Sequence, residues 1–336
     1  MKPIDLQATA LELVAPGKGI LAADESGPTI EKRFKAVGVI STFEHRRAYR
    51  ELLLTTPGLN AFISGAILYD ETLRQQTSTG ETFPAMLARQ GIFPGIKVDQ
   101  GAKPLAGFPG EKITEGLDGL RERLAEYGQL GAKFTKWRAV IAVGPGTPTL
   151  TGAVLNAQAL ARFAALSQEA GLVPVVEPEV LMDGPHELAR HQEVTELMLH
   201  QVFRALYEQR VQLDGLLLKV NMVLAGTECP TPAGGAEVVE ATRQCLLRTV
   251  PAAVPGVLFL SGGQSDLQAT EHLDALNRRG EVPWQLSFSY GRALQAPALK
   301  AWAGRPDRAA LAQQALLQRA RCNSAARFGQ YTAEME

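Results

Sequence analysis

The sequence predicts one α/β domain in which eight parallel strands close into a (β/α)8, or TIM, barrel. Three observations support this fold class: eight short apolar runs occur, amphipathic segments separate most of them, and no Pro/Ser/Gly-rich linker divides the 336 residues. The runs recur about every 38 residues, a spacing that suits eight βα units with modest insertions. A doubly wound open sheet is the structural alternative, since periodicity does not show whether a sheet closes.

The predicted strands are apolar on both faces, as expected where helices cover both sides of a parallel sheet. Gly, Pro or Asp bounds most of them, and none approaches the ~20 apolar residues of a membrane span. The runs are Gly19–Ala23, Ala61–Leu68, Phe93–Val98, Ala132–Trp137, Leu172–Val176, Leu216–Val220, Val257–Leu260 and Leu286–Ser289.

Apolar residues at helical spacing predict helices between the strands and after the last one. An N-terminal helix is expected before the first strand, and a short tail, from about 328 to 336, after the last helix. Gly171 is a favourable residue just beyond a helix end, and Asp307 is expected to act as an N-cap. The main helices are Asn156–Glu169, His186–Gln209, Glu237–Arg248 and Asp307–Arg327.

Composition and charge limit the possible partners and the compartment. With 34 basic and 35 acidic side chains, the net charge is −1, and 46% of the residues are hydrophobic. A chain with this hydrophobic content is expected to fold. Its near-zero net charge gives no indication of a nucleic-acid or membrane partner. The three cysteines have no CxxC spacing, and the N-terminus lacks the apolar core of a secretory signal. We therefore expect a cytoplasmic protein.

Charged or hydroxyl side chains stand at the C-terminal ends of seven predicted strands. In a barrel these ends meet at one mouth, where barrel enzymes keep their active sites. Taken singly, each could be a charge that reaches solvent past a strand end, but together they predict a shared polar cavity. The residues are Asp24, Lys97 with Asp99, Lys136 with Arg138, Glu177 with Glu179, Lys219, Ser261 and Arg292.

Lys219 lies inside an apolar run. Burial of a charged group there costs free energy unless the group is paired or binds something. Apolar surroundings and a neighbouring cation favour the uncharged form of a lysine, and Lys136 could be that cation. An uncharged amine forms an imine with a carbonyl substrate. A structural ion pair with Glu177 or Glu179 is the alternative.

Two further features predict proton transfer and phosphate binding. Glu177 and Glu179 flank a proline and share one side of an extended segment, where they could hold and move a proton; a tight loop with solvated glutamates is the alternative. Ser261-Gly262-Gly263 follows the seventh strand, and Gly291-Arg292 follows the eighth. Loops in these two places commonly bind phosphate in barrels.

The five histidines indicate no metal site. There is no HExxH pattern, and the five-residue spacing of His186 and His191 predicts that they do not share a helix face. We therefore expect neither a bound metal ion nor another cofactor.

Seven motifs in order resemble the class I, Schiff-base fructose-bisphosphate aldolases, from about Leu13 to Tyr331. The family is a usually tetrameric, metal-free (β/α)8 barrel that reversibly cleaves fructose 1,6-bisphosphate to dihydroxyacetone phosphate and glyceraldehyde 3-phosphate in glycolysis. The resemblance thus implies a sugar bisphosphate substrate and a homotetramer. The motifs are Leu21–Ser26, Gly95–Asp99, Lys136–Arg138, Val176–Val180, Leu218–Val223, Phe259–Ser265 and Phe288–Gln295.

The resemblance also implies roles for individual residues. Lys219 would form the imine, and Glu177 would act as general acid and base. Asp24 and Lys136 would assist carbon–carbon cleavage, and Glu179 would hold the lysines in position. The C1 phosphate is expected to contact Ser261, Gly262, Gly291 and Arg292. The other phosphate is expected to contact Ser26, Thr29 and Lys97. Three further residues are expected to bind the substrate: Arg138, Gly263 and Ser289.

Three positions depart from the family pattern. Val220 replaces the proline after the imine lysine, Thr29 replaces a serine but keeps the hydroxyl, and no terminal tyrosine ends the sequence. Tyr331 is not terminal, so proton exchange on the enamine is expected to use another group or to be slower. A lyase for a ketose of another chain length and a catalytically silent barrel are the functional alternatives.

Overall fold

The computed structural model describes residues 5–336 and confirms the closed barrel. Eight parallel strands are hydrogen-bonded in the order β1-β2-β3-β6-β7-β8-β9-β10, and β10 pairs again with β1. This closure excludes the open doubly wound sheet. The barrel strands are β1 (Gly19–Ala23), β2 (Ile63–Leu68), β3 (Phe93–Lys97), β6 (Phe134–Ile141), β7 (Val173–Val180), β8 (Leu217–Val220), β9 (Gly256–Phe259) and β10 (Gln285–Tyr290).

Each of the eight apolar runs predicted from the sequence is one barrel strand, and two strands, β6 and β7, continue four residues beyond the predicted C-terminal ends. β6 and β7 pair in register from Phe134↔Val173 to Ile141↔Val180. The polar residues beyond the apolar runs, among them Glu177 and Glu179, are therefore part of regular strands. Because side chains alternate along a strand, residues two apart face the same side.

A small antiparallel hairpin was not predicted. β4 (Ala102–Pro104) pairs with β5 (Lys112–Thr114) between β3 and the helix that precedes β6. Its strands are three residues long, which is too short for a period of two to be recognised in the sequence.

Twelve α-helices occur within the described residues. The expected N-cap of the last helix was wrong, because a 3₁₀ turn covers Pro306–Arg308 and Asp307 instead forms an ion pair with Arg305 at 2.8 Å. The helices are α1 (Leu6–Leu13), α2 (Gly27–Lys35), α3 (Phe43–Leu54), α4 (Asp70–Arg74), α5 (Phe83–Arg89), α6 (Leu120–Gln129), α7 (Leu150–Glu169), α8 (Leu188–Glu208), α9 (Gly235–Thr249), α10 (Asp266–Arg279), α11 (Arg292–Trp302) and α12 (Ala309–Ala326).

The apolar core has two parts, and the smaller one fills the barrel interior. Phe134 occupies that interior, where a Cβ on Gly95 would lie only 2.2 Å from its ring. Leu13 and Val14, at the end of α1, belong to the same cluster. Apolar side chains thus close the N-terminal end of the barrel, which leaves the C-terminal mouth for polar residues. No described helix is long and apolar enough to cross a membrane.

Candidate active site

A cavity of about 410 Å³ opens at the C-terminal ends of the barrel strands. Fourteen of the fifteen site residues predicted from the sequence line it, and Gly263, which follows the lining residue Gly262, does not. The fourteen are Asp24, Ser26, Thr29, Lys97, Lys136, Arg138, Glu177, Glu179, Lys219, Ser261, Gly262, Ser289, Gly291 and Arg292.

Four charged groups form a connected cluster deep in this cavity. Lys136 Nζ lies 2.9 Å from Asp24 Oδ2 and 2.8 Å from Glu177 Oε2. The other oxygen of Glu177, Oε1, lies 3.1 Å from Lys219 Nζ. Glu177 therefore links the two lysines, and Lys219 does make one of the ion pairs that the structural alternative expected.

Burial and charge together set the ionisation of this cluster. Burial alone would raise the pKa of Asp24, but the charges of Lys136 and Lys219 outweigh it and hold this pKa well below its usual range. Burial likewise opposes ionisation of Glu177, yet Lys136 and Lys219 lower its pKa. Burial would lower the pKa of Lys136, but Asp24 and Glu177 raise it above its ordinary value. Two carboxylates and at least one ammonium are thus charged at neutral pH.

A second ion pair stands beside the cluster. Arg138 Nε donates to Glu179 Oε2, and the Arg138 backbone N–H donates to Asp99 Oδ2 at 3.2 Å. The partner of Glu179 is therefore Arg138, while Glu177 is the carboxylate that contacts the lysines. Arg138 and Lys136 are two apart on β6, as Glu177 and Glu179 are on β7, which explains why both pairs face the mouth.

One side of the cavity combines the loop after β9 with the start of α11. Gly263 has a φ of +74°, which favours glycine, and a Cβ there would lie 2.9 Å from Met182. The Arg292 guanidinium donates to the carbonyls of Ser261 and Gln264, and burial lowers its pKa. Ser289 Oγ is buried without a hydrogen-bond partner among the described residues. A helix N-terminus, backbone amides and an arginine suit an anion.

Another part of the cavity wall contains the start of α2 and the end of β3. Ser26 precedes α2, and its hydroxyl lies 3.1 Å from that of Thr29. Lys97 donates from Nζ to Asp99 Oδ1 at 2.5 Å and to the Asp99 carbonyl at 3.1 Å. Hydroxyl groups at a helix N-terminus and a nearby ammonium provide a second place for an anion.

Sequence reasoning missed two charged residues of the cavity wall. Arg33 and Glu25 both line the cavity and form an ion pair with each other. Glu25 also pairs with the buried Arg50 at 2.5 Å. The missed signal is the four-residue spacing from Thr29 to Arg33, which puts both on one face of α2, and the position of Glu25 directly after Asp24.

The histidines are arranged differently from the prediction. α8 begins at Leu188, so His186 precedes the helix, and its ring stacks on that of His191 with centroids 5.3 Å apart. Within residues 5–336, no group of three or more His, Cys, Asp or Glu side chains is arranged to hold a metal ion. Tyr331 does not line the cavity, and its hydroxyl donates to Glu336 at 2.8 Å.

Comparison with known proteins gives consistent matches over the whole described chain. The profile of the family described as "Fructose-bisphosphate aldolase class-I" matches residues 5–336. A probable fructose-bisphosphate aldolase class 1 of Xanthomonas campestris is 57% identical over 97% of this chain and 98% of its own length. Fructose-bisphosphate aldolase 1 of Toxoplasma gondii is 51% identical over 97% of this chain and 91% of its own.

A solved structure agrees with these sequence matches. Fructose-bisphosphate aldolase of Plasmodium falciparum superimposes with a TM-score of 0.96 at 49% identity, over 98% of this chain and 95% of that one. Similarity at this level extends from the sequence to the path of the backbone.

Proposed function

Because the chain belongs to the class I fructose-bisphosphate aldolases, which cleave fructose 1,6-bisphosphate reversibly through a lysine Schiff base, we propose that Lys219 forms that Schiff base. The observation that carries the proposal is the 3.1 Å separation of Lys219 Nζ and Glu177 Oε1. At hydrogen-bond distance, an ammonium proton can pass to the carboxylate, and this transfer leaves the uncharged amine that attacks the C2 ketone.

Glu177 acts as general base and then as general acid. After taking the proton of Lys219, it returns a proton to the carbinolamine hydroxyl, which leaves as water as the iminium ion forms. Lys136 on the second oxygen of Glu177 keeps the carboxylate in place through both steps. The buried position of Glu177, 2% exposed, limits competition from solvent for the proton.

Asp24 and Lys136 assist cleavage of the C3–C4 bond. The C4 hydroxyl must lose a proton as the bond breaks, and we assign that step to Asp24, which is ionised beside Lys136. The bonding electrons move to the iminium nitrogen through C3 and C2, which gives an enamine and releases the aldehyde. Because the cationic nitrogen accepts the electrons, we propose that no metal ion is needed.

The two ends of the cavity hold the two phosphates. The C1 phosphate contacts the loop after β9 and the start of α11, through Ser261, Gly262, Gly291 and Arg292, with Gly263 shaping the loop. The other phosphate contacts Ser26, Thr29 and Lys97. Ser289 and Arg138 contact the substrate between the two ends. The presence of two such groups of residues in one cavity supports a bisphosphate over a substrate with one phosphate.

Replacement of Lys219 tests the assignment. In Lys219→Met we expect cleavage to fall by several orders of magnitude while circular dichroism and thermal unfolding show an intact fold. Lys300→Met, which changes an exposed lysine on α11, is the matched control and should keep full activity. Near-normal turnover of the Lys219 variant would contradict the proposal.

We also propose that the protein works as a cytoplasmic homotetramer. The family resemblance supports the tetramer, and the three buried free cysteines suit a reducing compartment. Sedimentation equilibrium should give a mass four times the 36.1 kDa of one chain. A mass of 36.1 kDa at micromolar concentration would contradict it.

A further inference from the structure

We propose that Asn221, with His191 and Thr195, sets the spacing between β7 and β8 at the barrel mouth and so positions Lys219 against Glu177. This inference rests on the proposed roles of those two residues. None of the three lines the cavity, so they act through Lys219 and Glu177 and are positioning residues. We call them the β7–β8 clamp.

The two strands lose their direct pairing just where the chemistry is expected. β7 pairs with β8 at Val175↔Leu217 and Val176↔Leu218, and this register ends one residue before Glu177 and Lys219. On its other side, β7 remains paired with β6 as far as Val180. The paired register between these two strands therefore does not continue past Glu177 and Lys219.

The side chain of Asn221 connects the two strands beyond the end of their backbone pairing. Asn221 follows Lys219 by two residues, and its Oδ1 accepts a hydrogen bond from the Val180 backbone N–H at 2.9 Å. Its Nδ2 donates to the Met222 carbonyl at 3.2 Å and to Thr195 Oγ1 at 3.4 Å. The side chain is 1% exposed, so water does not compete for these bonds. The end of β7 is thereby tied to the chain that leaves β8.

His191 ties the same two segments a second time. Its ring atom Nε2 lies 3.3 Å from the carbonyl oxygen of Val180. Its other ring nitrogen, Nδ1, accepts a hydrogen bond from the Leu224 N–H at 3.3 Å. This pair of contacts requires the neutral ring with its hydrogen on Nε2. Burial lowers the pKa of His191 to about 4 and keeps the ring neutral in the working range. Both backbone groups of Val180 are thus held by side chains.

Thr195 joins the two side chains into one network. Its hydroxyl donates to the His191 carbonyl at 2.8 Å, one turn back on α8, and accepts from Asn221. Thr195 is 1% exposed and His191 is fully buried. A buried network whose donors and acceptors are satisfied is rigid, because any displacement leaves a polar group unpaired.

Loss of the clamp should lower kcat far more than it raises KM. A displacement near 1 Å between reacting groups can cost about 100-fold in rate. The phosphate sites proposed above depend on the last residue of β3 and on residues that follow β1, β9 and β10, and the three clamp side chains form no hydrogen bond with any of them. We therefore expect Asn221→Leu to lower kcat about 10- to 100-fold and to change KM by less than about 3-fold.

Thr242→Val is the matched control for a general disturbance of the loop after β8. Thr242 Oγ1 accepts from the Val223 N–H at 2.9 Å and is as buried as Asn221, but Thr242 lies on α9 and makes no bond to β7. It should destabilise the protein comparably and leave kcat within about 2-fold. Equal kcat values in Asn221→Leu and Thr242→Val would overturn the inference.

A second variant and a trapping assay complete the test. His191→Phe keeps a ring of similar size but loses both bonds, so it should give the same selective loss of kcat if Asn221→Leu does not fold. Single-turnover trapping of the imine from dihydroxyacetone phosphate with borohydride should be slower in the clamp variants and normal in Thr242→Val. Normal trapping rates in every folded clamp variant would overturn the inference. Cleavage by Lys219→Met would instead overturn the proposed function itself.

Discussion

Removal of the Lys136 ammonium should destabilise the protein and stop the reaction, and Lys136→Met tests both effects. In the native protein, one nitrogen lies 2.9 Å from Asp24 and 2.8 Å from Glu177, and all three side chains are nearly buried. Methionine has a similar length and no charge. The variant therefore leaves two buried carboxylates with only Lys219 and more distant cations to balance them.

The magnitude follows from these distances. At an effective dielectric constant of about 20, each contact contributes a gross attraction of about 6 kcal/mol. Desolvation of the buried ions offsets much of this gain, and breaking a buried pair costs about 3–5 kcal/mol. Because Lys219 still contacts Glu177, we expect a loss of about 3 kcal/mol in the free energy of unfolding at pH 7.

The loss should depend on pH with a defined sign. In the native protein the lowered pKa of Asp24 stabilises the fold above its unfolded pKa of ~4, and this contribution is lost as pH falls through the folded pKa. Without Lys136, only Lys219 and Lys97 oppose the effect of burial, so we expect the pKa of Asp24 to rise and its stabilising contribution above that pKa to shrink. The raised pKa of Lys136 adds stability that is present below ~10 and lost above it. The loss in the free energy of unfolding of Lys136→Met, which we call the deficit, is therefore largest between about pH 6 and 9.

Urea unfolding of Lys136→Met from pH 4 to pH 9 measures this deficit, and a coupled cleavage assay measures the loss of kcat, expected to exceed about 100-fold. Lys133→Met is the control, because Lys133 precedes the same strand and forms no ion pair within residues 5–336. A deficit below about 1 kcal/mol at pH 7, or one independent of pH, would refute the reasoning.

Three further predictions concern the same cavity. Arg292→Met should raise KM for fructose 1,6-bisphosphate at least about 10-fold, since a guanidinium at the proposed anion site is lost, whereas Arg308→Met, which changes an arginine that does not line the cavity, should not; equal KM values would contradict the phosphate assignment. Glu177→Gln should lower kcat about 10²- to 10⁴-fold, because an amide accepts no proton. Its pH–rate profile should also lose the acid limb, which in the native enzyme lies below the usual range of a glutamate because the pKa of Glu177 is lowered; an unchanged profile would contradict its role. Excess EDTA should leave activity intact, and inhibition that zinc reverses would point to a metal-dependent reaction.

Much of the barrel could be predicted because its strands are buried on both faces. Each strand appears in the sequence as a largely apolar run, and a charged or hydroxyl residue marks where seven of the eight reach the mouth. The hairpin β4–β5 escaped prediction because three residues carry no period, and the cap at Asp307 was wrong because its carboxylate pairs with Arg305. Local sequence shows neither a short pairing nor the choice between two hydrogen-bond partners.

The residues of the cavity were predictable as a set, while their pairing was not. Lys136 and Lys219 are 83 residues apart in sequence, and nothing local indicates that both contact Glu177 on different oxygens. Arg33 was missed because it stands a full turn after Thr29 on α2. The role of His191 depends on Val180 and Leu224, which only the closed barrel brings to its ring. Contacts of this kind follow from topology.

Covalent capture of the substrate on one lysine tests the central claim most directly. Borohydride reduction of the protein with dihydroxyacetone phosphate, followed by peptide mapping, should inactivate it and put a single stable adduct on Lys219. Reduction without the ketone should leave the enzyme active and unlabelled. Full activity after reduction with the ketone, or an adduct confined to another lysine, would contradict the account.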